Sequence, residues 1–391
     1  MLHNRIKQLR LARGLTLDGL AERMGGVVTK QALSKYERET SQPSLSVLTK
    51  LTEALGVKTA YLYNEPTVKV ELLAYRKHAT LLKRDRESIE SFVSQGVEER
   101  IRLQELSGEP VNLNLQYKKI NIRTLEDAEG AAESLRNSWK LGQAPIANVV
   151  SLLEDQFIHV FEVDFPDNKF DGISAVAYDE EEQLKAAAVV SRHGLPGERQ
   201  RLNLAHEVGH LVMNVAEKID EEKAAFRFAG AFLAPANLLI REVGAHRSSI
   251  QFKELLILKK RFGISMQALL FRLRDLDIIN EATFKWSCIQ INRLGWKKQE
   301  PEELKHEEPQ WMKQNVLRAV SEGLMTRDEA KRLTGESIEE ETVQFIDRRA
   351  FMKLPLIERH RILQEQSERL KDLYEHNPEV QNLGGGDILE H

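Results

Sequence analysis

The chain has 391 residues, 41% hydrophobic and 30% charged, with a formal net charge of −4 at pH 7. That is ordinary globular composition, long enough for two or three domains, and it excludes a uniformly basic nucleic-acid binder while leaving room for a local one. No run of 18 apolar residues occurs and the opening Met1-Leu-His-Asn-Arg5 lacks a signal-peptide core, so no membrane partner is expected. The lone Cys288 forbids an internal disulfide, fits a cytoplasmic location and is read as a packing residue.

Residues 1–65 carry ten basic against six acidic side chains, a net +4 inside an acidic protein. Gly14, Gly25-Gly26, Pro43 and Gly56 punctuate four or five short helices, so an all-α N-terminal domain is expected. The run Arg5-Ile-Lys-Gln-Leu9 through Leu20-Ala21, Thr29-Lys30-Gln31-Ala32-Leu33-Ser34-Lys35 and Pro43-Ser-Leu45 to Gly56 resembles the helix-turn-helix module of Cro/C1-type (XRE) repressors. The resemblance implies double-stranded DNA as partner and a role in transcription regulation. Thr29 is placed to cap a helix whose outer face carries Lys30, Gln31, Ser34 and Lys35. Such a face enters a major groove, Gln31 reading adenine edges and the two lysines reaching guanine or phosphate. Leu17 stands where that family commonly has Gln, which removes a usual phosphate contact and points to modest or homodimer-dependent affinity.

Residues 66–124 read as a helical linker, with Leu72, Leu73, Leu81 and Leu82 and then Ile89, Phe92, Val93, Val97 and Ile101 forming a helical hairpin broken at Ser107-Gly-Glu-Pro110. The next domain is expected over 125–292. Helices over 126–141 and 149–155 precede three β-rich runs, 157–163, 172–178 and 185–191, which predict a three-stranded sheet with an edge open to a peptide substrate. His193, in the loop after the third run, is read as solvated.

Everything in this domain is organised around His206-Glu207-Val-Gly-His210. Residues four apart on a helix share a face, so the two imidazoles can reach one metal ion while Glu207 lies beside them. His-Glu-x-x-His is the zinc-peptidase signature: the metal acidifies a water and the carboxylate takes the proton. The flanking Leu202, Leu204, Ala205, Val208, Leu211 and Val212 imply burial, where unpaired histidines and an acid are costly and a metal would satisfy them. Gly209 lowers helix propensity, which is expected where another segment approaches closely. A third ligand is needed. A second helix runs from Asp220 to Pro235, and Glu222 lies on its Ala225/Ala229 side, whereas Glu221 sits about 100° round.

His206-Glu-x-Gly-His210 with Glu222-x-x-Ala-x-x-Phe-Ala-x-x-Phe-Leu-x-Pro235 resembles the ImmA/IrrE family of metallopeptidases, and Phe170-Asp171-Gly172 resembles its strand at that position. The resemblance implies a mainly α fold with an α+β zincin-like catalytic domain, zinc ligands His206, His210 and Glu222, general base Glu207, and cleavage of a repressor-like protein. Phe226 stands where the family often has Asn, which removes a hydrogen bond behind the ligands.

Phe252 to Leu276 reads as two helices broken at Gly263, with a basic face of Lys259, Lys260, Arg261, Arg272 and Arg274 taken as solvated. Residues 293–350 are expected to be helical after a charged linker from Lys297 to Pro309. The end, 351–391, with Leu354-Pro-Leu, Leu363, Gln366, Leu370, Tyr374 and Gly386-Asp387-Ile388, resembles the tail of bacterial type II antitoxins. That resemblance implies a cognate toxin bound through Leu363, Leu370, Tyr374 and Asp387, and an alternative role as a non-enzymatic antitoxin and autorepressor.

Overall fold

Helix α1 (Leu2–Ala12) is followed by α2 (Leu17–Arg23), α3 (Lys30–Glu37), α4 (Leu45–Leu55) and a 3₁₀ turn at Thr59–Tyr63. The starts are set by hydroxyl caps: Thr16, Thr29 and Ser44 accept from the backbone N–H of Gly19, Ala32 and Val47. Ile6, Leu9, Leu20, Leu33, Leu51 and Leu55 are fully buried where the helices meet. Arg10 donates to both oxygens of Glu37, at 2.6 and 2.9 Å, joining α1 to α3. The computed structural model describes residues 2–64, 67–73, 83–108, 115, 117–164, 171–337, 348–364 and 367.

The expected helical hairpin after this module is a correction. Lys69–Leu72 is a strand, β1, and among the described residues of this segment only Lys83–Leu106 is helical, α5; Leu81 and Leu82 lie outside the described residues. After it come β2 (Ile120–Ile122), α6 (Asp127–Ser138), α7 (Val149–Asp155), β3 (Ile158–Val163), β4 (Gly172–Tyr178), β5 (Leu184–Arg192), α8 (Gly197–Val212), β6 (Met213–Val215) and α9 (Glu221–Leu233). The main sheet has four strands in the order β1-β4-β5-β3 rather than the three expected. β1 and β4 are antiparallel, as are β4 and β5, while β3 and β5 are parallel.

Both faces of this sheet are covered, so its two inner strands, β4 and β5, are mostly apolar. On one face α5 sets Ile89, Val93 and Val97 against Ile173, Ala175 and Val190. The contact is close: a Cβ at Gly96 would lie 2.7 Å from Phe161 Cζ. On the other face α8 buries Leu204, Ala205, Val208 and Leu211 with Val176, Ala187 and Val189. The helix-turn-helix module rests on the far side of α5, where Arg5 and the Tyr61 hydroxyl both donate to Glu98 and Gln8 donates to Ser94.

Helices α10 (Ala236–Val243), α11 (Phe252–Phe262), α12 (Met266–Asp275) and α13 (Glu281–Arg293) complete the body. Gly263, at φ +69°, separates α11 from α12, and Ser265 caps the latter. Two cations of the supposedly solvated basic face are buried: Lys259 is paired with Glu198 and Glu300, and Arg272 reaches Glu129 and the Ala234 carbonyl.

The charged stretch 297–310 is likewise no free linker but a strap laid across the start of α8. Gly197 donates its N–H to the Leu304 carbonyl, Leu304 donates to Glu198, and Glu307 accepts from the first N–H groups of α7. Glu300 does the same for α12, and Glu154 for the helix that follows the strap, α14 (Trp311–Ser321). Acids at helix starts satisfy orphan donors and oppose the helix dipole. α15 (Arg327–Thr334) ends this unit; its Glu329 pairs with Lys58 and Arg102.

Residues 338–391 form a separate unit. Within it α16 (Arg348–Lys353) and residues 356–364 are helical, with Leu356, Ile357 and Leu363 exposed. Leu370, Tyr374 and Asp387 lie outside the described residues.

Candidate metal centre and nucleic-acid surface

α8 and α9 cross where α8 carries Gly209. A Cβ there would stand 3.1 Å from Phe228 Cδ1, so the glycine admits the close crossing expected of it. Asp220 begins α9 by accepting from the N–H of Glu222 and Lys223, which turns the first acids of α9 towards α8.

His206 Nε2 and His210 Nε2 stand 3.1 Å apart; Glu222 places one oxygen 3.3 Å from the first and the other 3.6 Å from the second. Donors at about 2.0–2.1 Å in a tetrahedral zinc shell lie about 3.4 Å from one another, so the spacing of this donor set fits the ion. The two buried imidazole nitrogens and the Glu222 carboxylate converge on one point, where a single cation would satisfy all three at once. Glu221 sits 3.4 Å from His210 Nδ1, the nitrogen turned away from the centre, in the position of an orienting carboxylate rather than a ligand. Burial resists a charge on His210, but Glu221 and the neighbouring Glu207 and Glu222 outweigh it and raise its pKa above the ordinary imidazole value.

Glu207 is buried beside the pair, and its Oε2 has no hydrogen-bond partner among the described residues. Its room comes from Gly172, where a Cβ would lie 3.3 Å from Glu207 Cγ. His206 Nδ1 is also without a hydrogen-bond partner there, and the Phe226 ring packs on the imidazole at 4.2 Å between centroids. Phe226 thus contributes ring packing to His206 rather than a hydrogen bond.

The substrate edge foreseen beside the metal is mostly taken. β1 pairs with Ala175–Tyr178 of β4 and Leu73 donates to the Ser174 carbonyl. Because alternate residues of a strand face alternate neighbours, the Gly172 main chain faces the same side as that of Ser174, next to Glu207 and beyond the end of β1.

On α3, Thr29, Lys30, Gln31 and Lys35 are exposed and Ser34 is half-buried, with Leu33 pointing inward. Lys30 reaches Asp18 of α2 at 3.3 Å, an exposed pair that solvent and salt weaken. The five residues form one outer edge. What sequence reasoning passed over is a second group of metal-capable side chains, Glu162, His193 and His306, whose members stand in three separate segments.

Comparison with known proteins matches residues 6–62 to the helix-turn-helix family and residues 153–274 to the IrrE N-terminal-like domain family. A curated relative, an SPbeta prophage-derived uncharacterized HTH-type transcriptional regulator of Bacillus subtilis (strain 168), is 37% identical over 62 residues. That match spans 16% of this chain and 56% of the relative's length. No family match reaches the tail at 351–391, so its resemblance to antitoxins stands on the sequence pattern alone. No helix among the described residues is long and apolar enough to cross a membrane. The chain joins an XRE-type helix-turn-helix domain to an IrrE/ImmA-like domain of the peptidase class.

Proposed function

We propose that this protein is a cytoplasmic, DNA-binding transcriptional regulator whose second domain is a zinc-dependent endopeptidase acting on a repressor-like regulatory protein. The observation that carries the peptidase reading is the convergence of His206 Nε2, His210 Nε2 and the Glu222 carboxylate at 3.1 to 3.6 Å, with the buried Glu207 carboxylate alongside. A zinc ion held by those three residues supplies Lewis acidity that polarises a peptide carbonyl and lowers the pKa of water. Glu207 would take a proton from the attacking water and pass it to the leaving amine, its Oε2 free of hydrogen bonds from the described residues. The Gly172 N–H and carbonyl, beyond the described end of β1, would offer a substrate main chain a short stretch of sheet edge in register with Glu207.

DNA recognition is assigned to Thr29, Lys30, Gln31, Ser34 and Lys35, acting in a homodimer because isolated modules of this kind gain affinity by pairing half-sites. The proposed domains are 1–65 for DNA and 125–292 for catalysis, with β1 and α5 of the intervening segment built onto the catalytic sheet. A second reading, an antitoxin and autorepressor, is supported by the exposed Leu356, Ile357 and Leu363 in the tail.

Affinity capture with full-length protein, wild type against Glu207→Gln, tests the first reading. The Gln form is expected to retain an intact regulatory protein of which wild type leaves fragments. Recovery of the same intact set by both forms would rule the peptidase out. Loss of one partner on deleting 353–391, with DNA binding kept, would favour the antitoxin.

A further inference from the structure

Glu162 lies near the end of β3, His193 stands in the loop after β5 and His306 lies on the strap, yet their donor atoms gather within 4.8 Å of one another. His193 Nδ1 is 3.2 Å from one Glu162 oxygen, and His306 Nε2 touches the other. The proton on His306 can be placed. Its Nδ1 is 2.8 Å from the Leu195 carbonyl, which can only accept, so Nδ1 carries the hydrogen. Gln200 is fully buried and its amide cannot be reversed, because Oε1 accepts from the Glu307 N–H while Nε2 donates to the Glu307 carbonyl at 2.7 Å. Its NH₂ therefore faces both His306 Nε2, at 3.2 Å, and the Glu162 oxygen, at 3.3 Å, as a donor. With its Nδ1–H spent on the Leu195 carbonyl, His306 turns Nε2 onto the Glu162 carboxylate beside His193 Nδ1, a gathering of donor atoms that a shared cation, either a metal ion or the proton of an imidazolium, holds together.

We propose that Glu162, His193 and His306 form a second divalent-cation site, of the zinc class, whose ion fastens the 297–310 strap over the start of α8. Two imidazoles and a carboxylate are the donor set that first-row divalent ions favour. The Leu195 carbonyl and the Gln200 amide fix the His306 ring in the manner of outer groups that orient metal-binding histidines. His193 is more than half exposed, which leaves an entry path and an open coordination position. Gln200 is six residues before His206 on α8, about 9 Å along the axis, so this site is distinct from the one at His206, His210 and Glu222. It shares no ligand with it.

The test is zinc stoichiometry of full-length protein, stripped by chelator, reloaded with Zn²⁺ alone and desalted. Wild type is expected to hold two ions per chain. His193→Ala, a surface change that leaves the core untouched, and His306→Gln should each hold one, as should His210→Ala, which removes the other site. Trypsin cleavage at the exposed Lys305 should slow on adding zinc to wild type and His210→Ala, and stay unchanged in His193→Ala. A stoichiometry of one that His210→Ala abolishes and His193→Ala leaves intact overturns the proposal, and makes the cluster a protonated histidine latch. A stoichiometry of one that His193→Ala abolishes supports it and counts instead against the peptidase centre.

Discussion

At His206 the nitrogen turned away from the proposed metal centre, Nδ1, is buried without a hydrogen bond among the described residues, and the Phe226 ring packs on the imidazole. A ligand histidine whose outer nitrogen is unserved is held less firmly, and such outer partners typically change metal affinity by 10–100-fold. Phe226→Asn is therefore expected to tighten zinc binding by about tenfold, measured by competition with a chromophoric chelator. Unchanged or weaker binding would mean that stacking, not hydrogen bonding, positions this ring. The residue scale is also where the sequence is most informative. His206, Glu207, His210 and Glu222 are local: two helices in succession fix their faces, and the donor atoms of His206, His210 and Glu222 do lie together. The strap charges were illegible for the opposite reason. Arg201 meets Glu307 at a separation of 106 residues and Lys259 meets Glu198 at 61, and no local pattern marks a lysine as destined for burial.

Among the elements, α5 is the one whose role reading and structure separate most. The sequence reads it as half of a helical linker, whereas it lies on the main sheet with Gly96 against Phe161 and carries the helix-turn-helix module on its other side. Gly96→Leu is expected to cost about 1–3 kcal/mol by overpacking, read as a lower urea midpoint for the whole chain. A spacer would instead gain helix propensity and show no loss. β1 was missed because four residues, Lys69-Val-Glu-Leu72, are too few to display a period of two, and its neighbours continue a leucine pattern that also suits a helix. The strands β3, β4 and β5 were legible because each is a long apolar run between polar turns. Their order was not, since pairing partners are set by the crossover and not by composition.

At the scale of the molecule, stability should fall on acidification in a way traceable to one side chain. His159 on β3 is fully enclosed, and burial first, with the charge of Arg100 adding to it, holds its pKa well below the ordinary value of 6.5. The folded protein therefore refuses a proton that the unfolded chain accepts. The stability is complete above about pH 6.5 and is lost as pH drops below it, by up to about 1.4 kcal/mol per unit until the folded value is reached. Urea unfolding at pH 7.5 and 5.5 is expected to show this loss in wild type and a smaller one in His159→Phe. An equal loss in both would assign it to other groups.

The candidate recognition helix and the candidate metal centre stand on one body, joined through α5 and the Arg5 and Tyr61 contacts to Glu98. Regulation by cleavage needs the second of these to be chemically competent. The most direct measurement is zinc content and peptide-bond cleavage of full-length Glu207→Gln beside wild type, using the captured regulatory protein as substrate. Unaltered zinc with cleavage reduced by at least about 100-fold is the expected result. Undiminished cleavage by the Gln form, or a wild-type protein that retains no zinc at His206, His210 and Glu222, would contradict it.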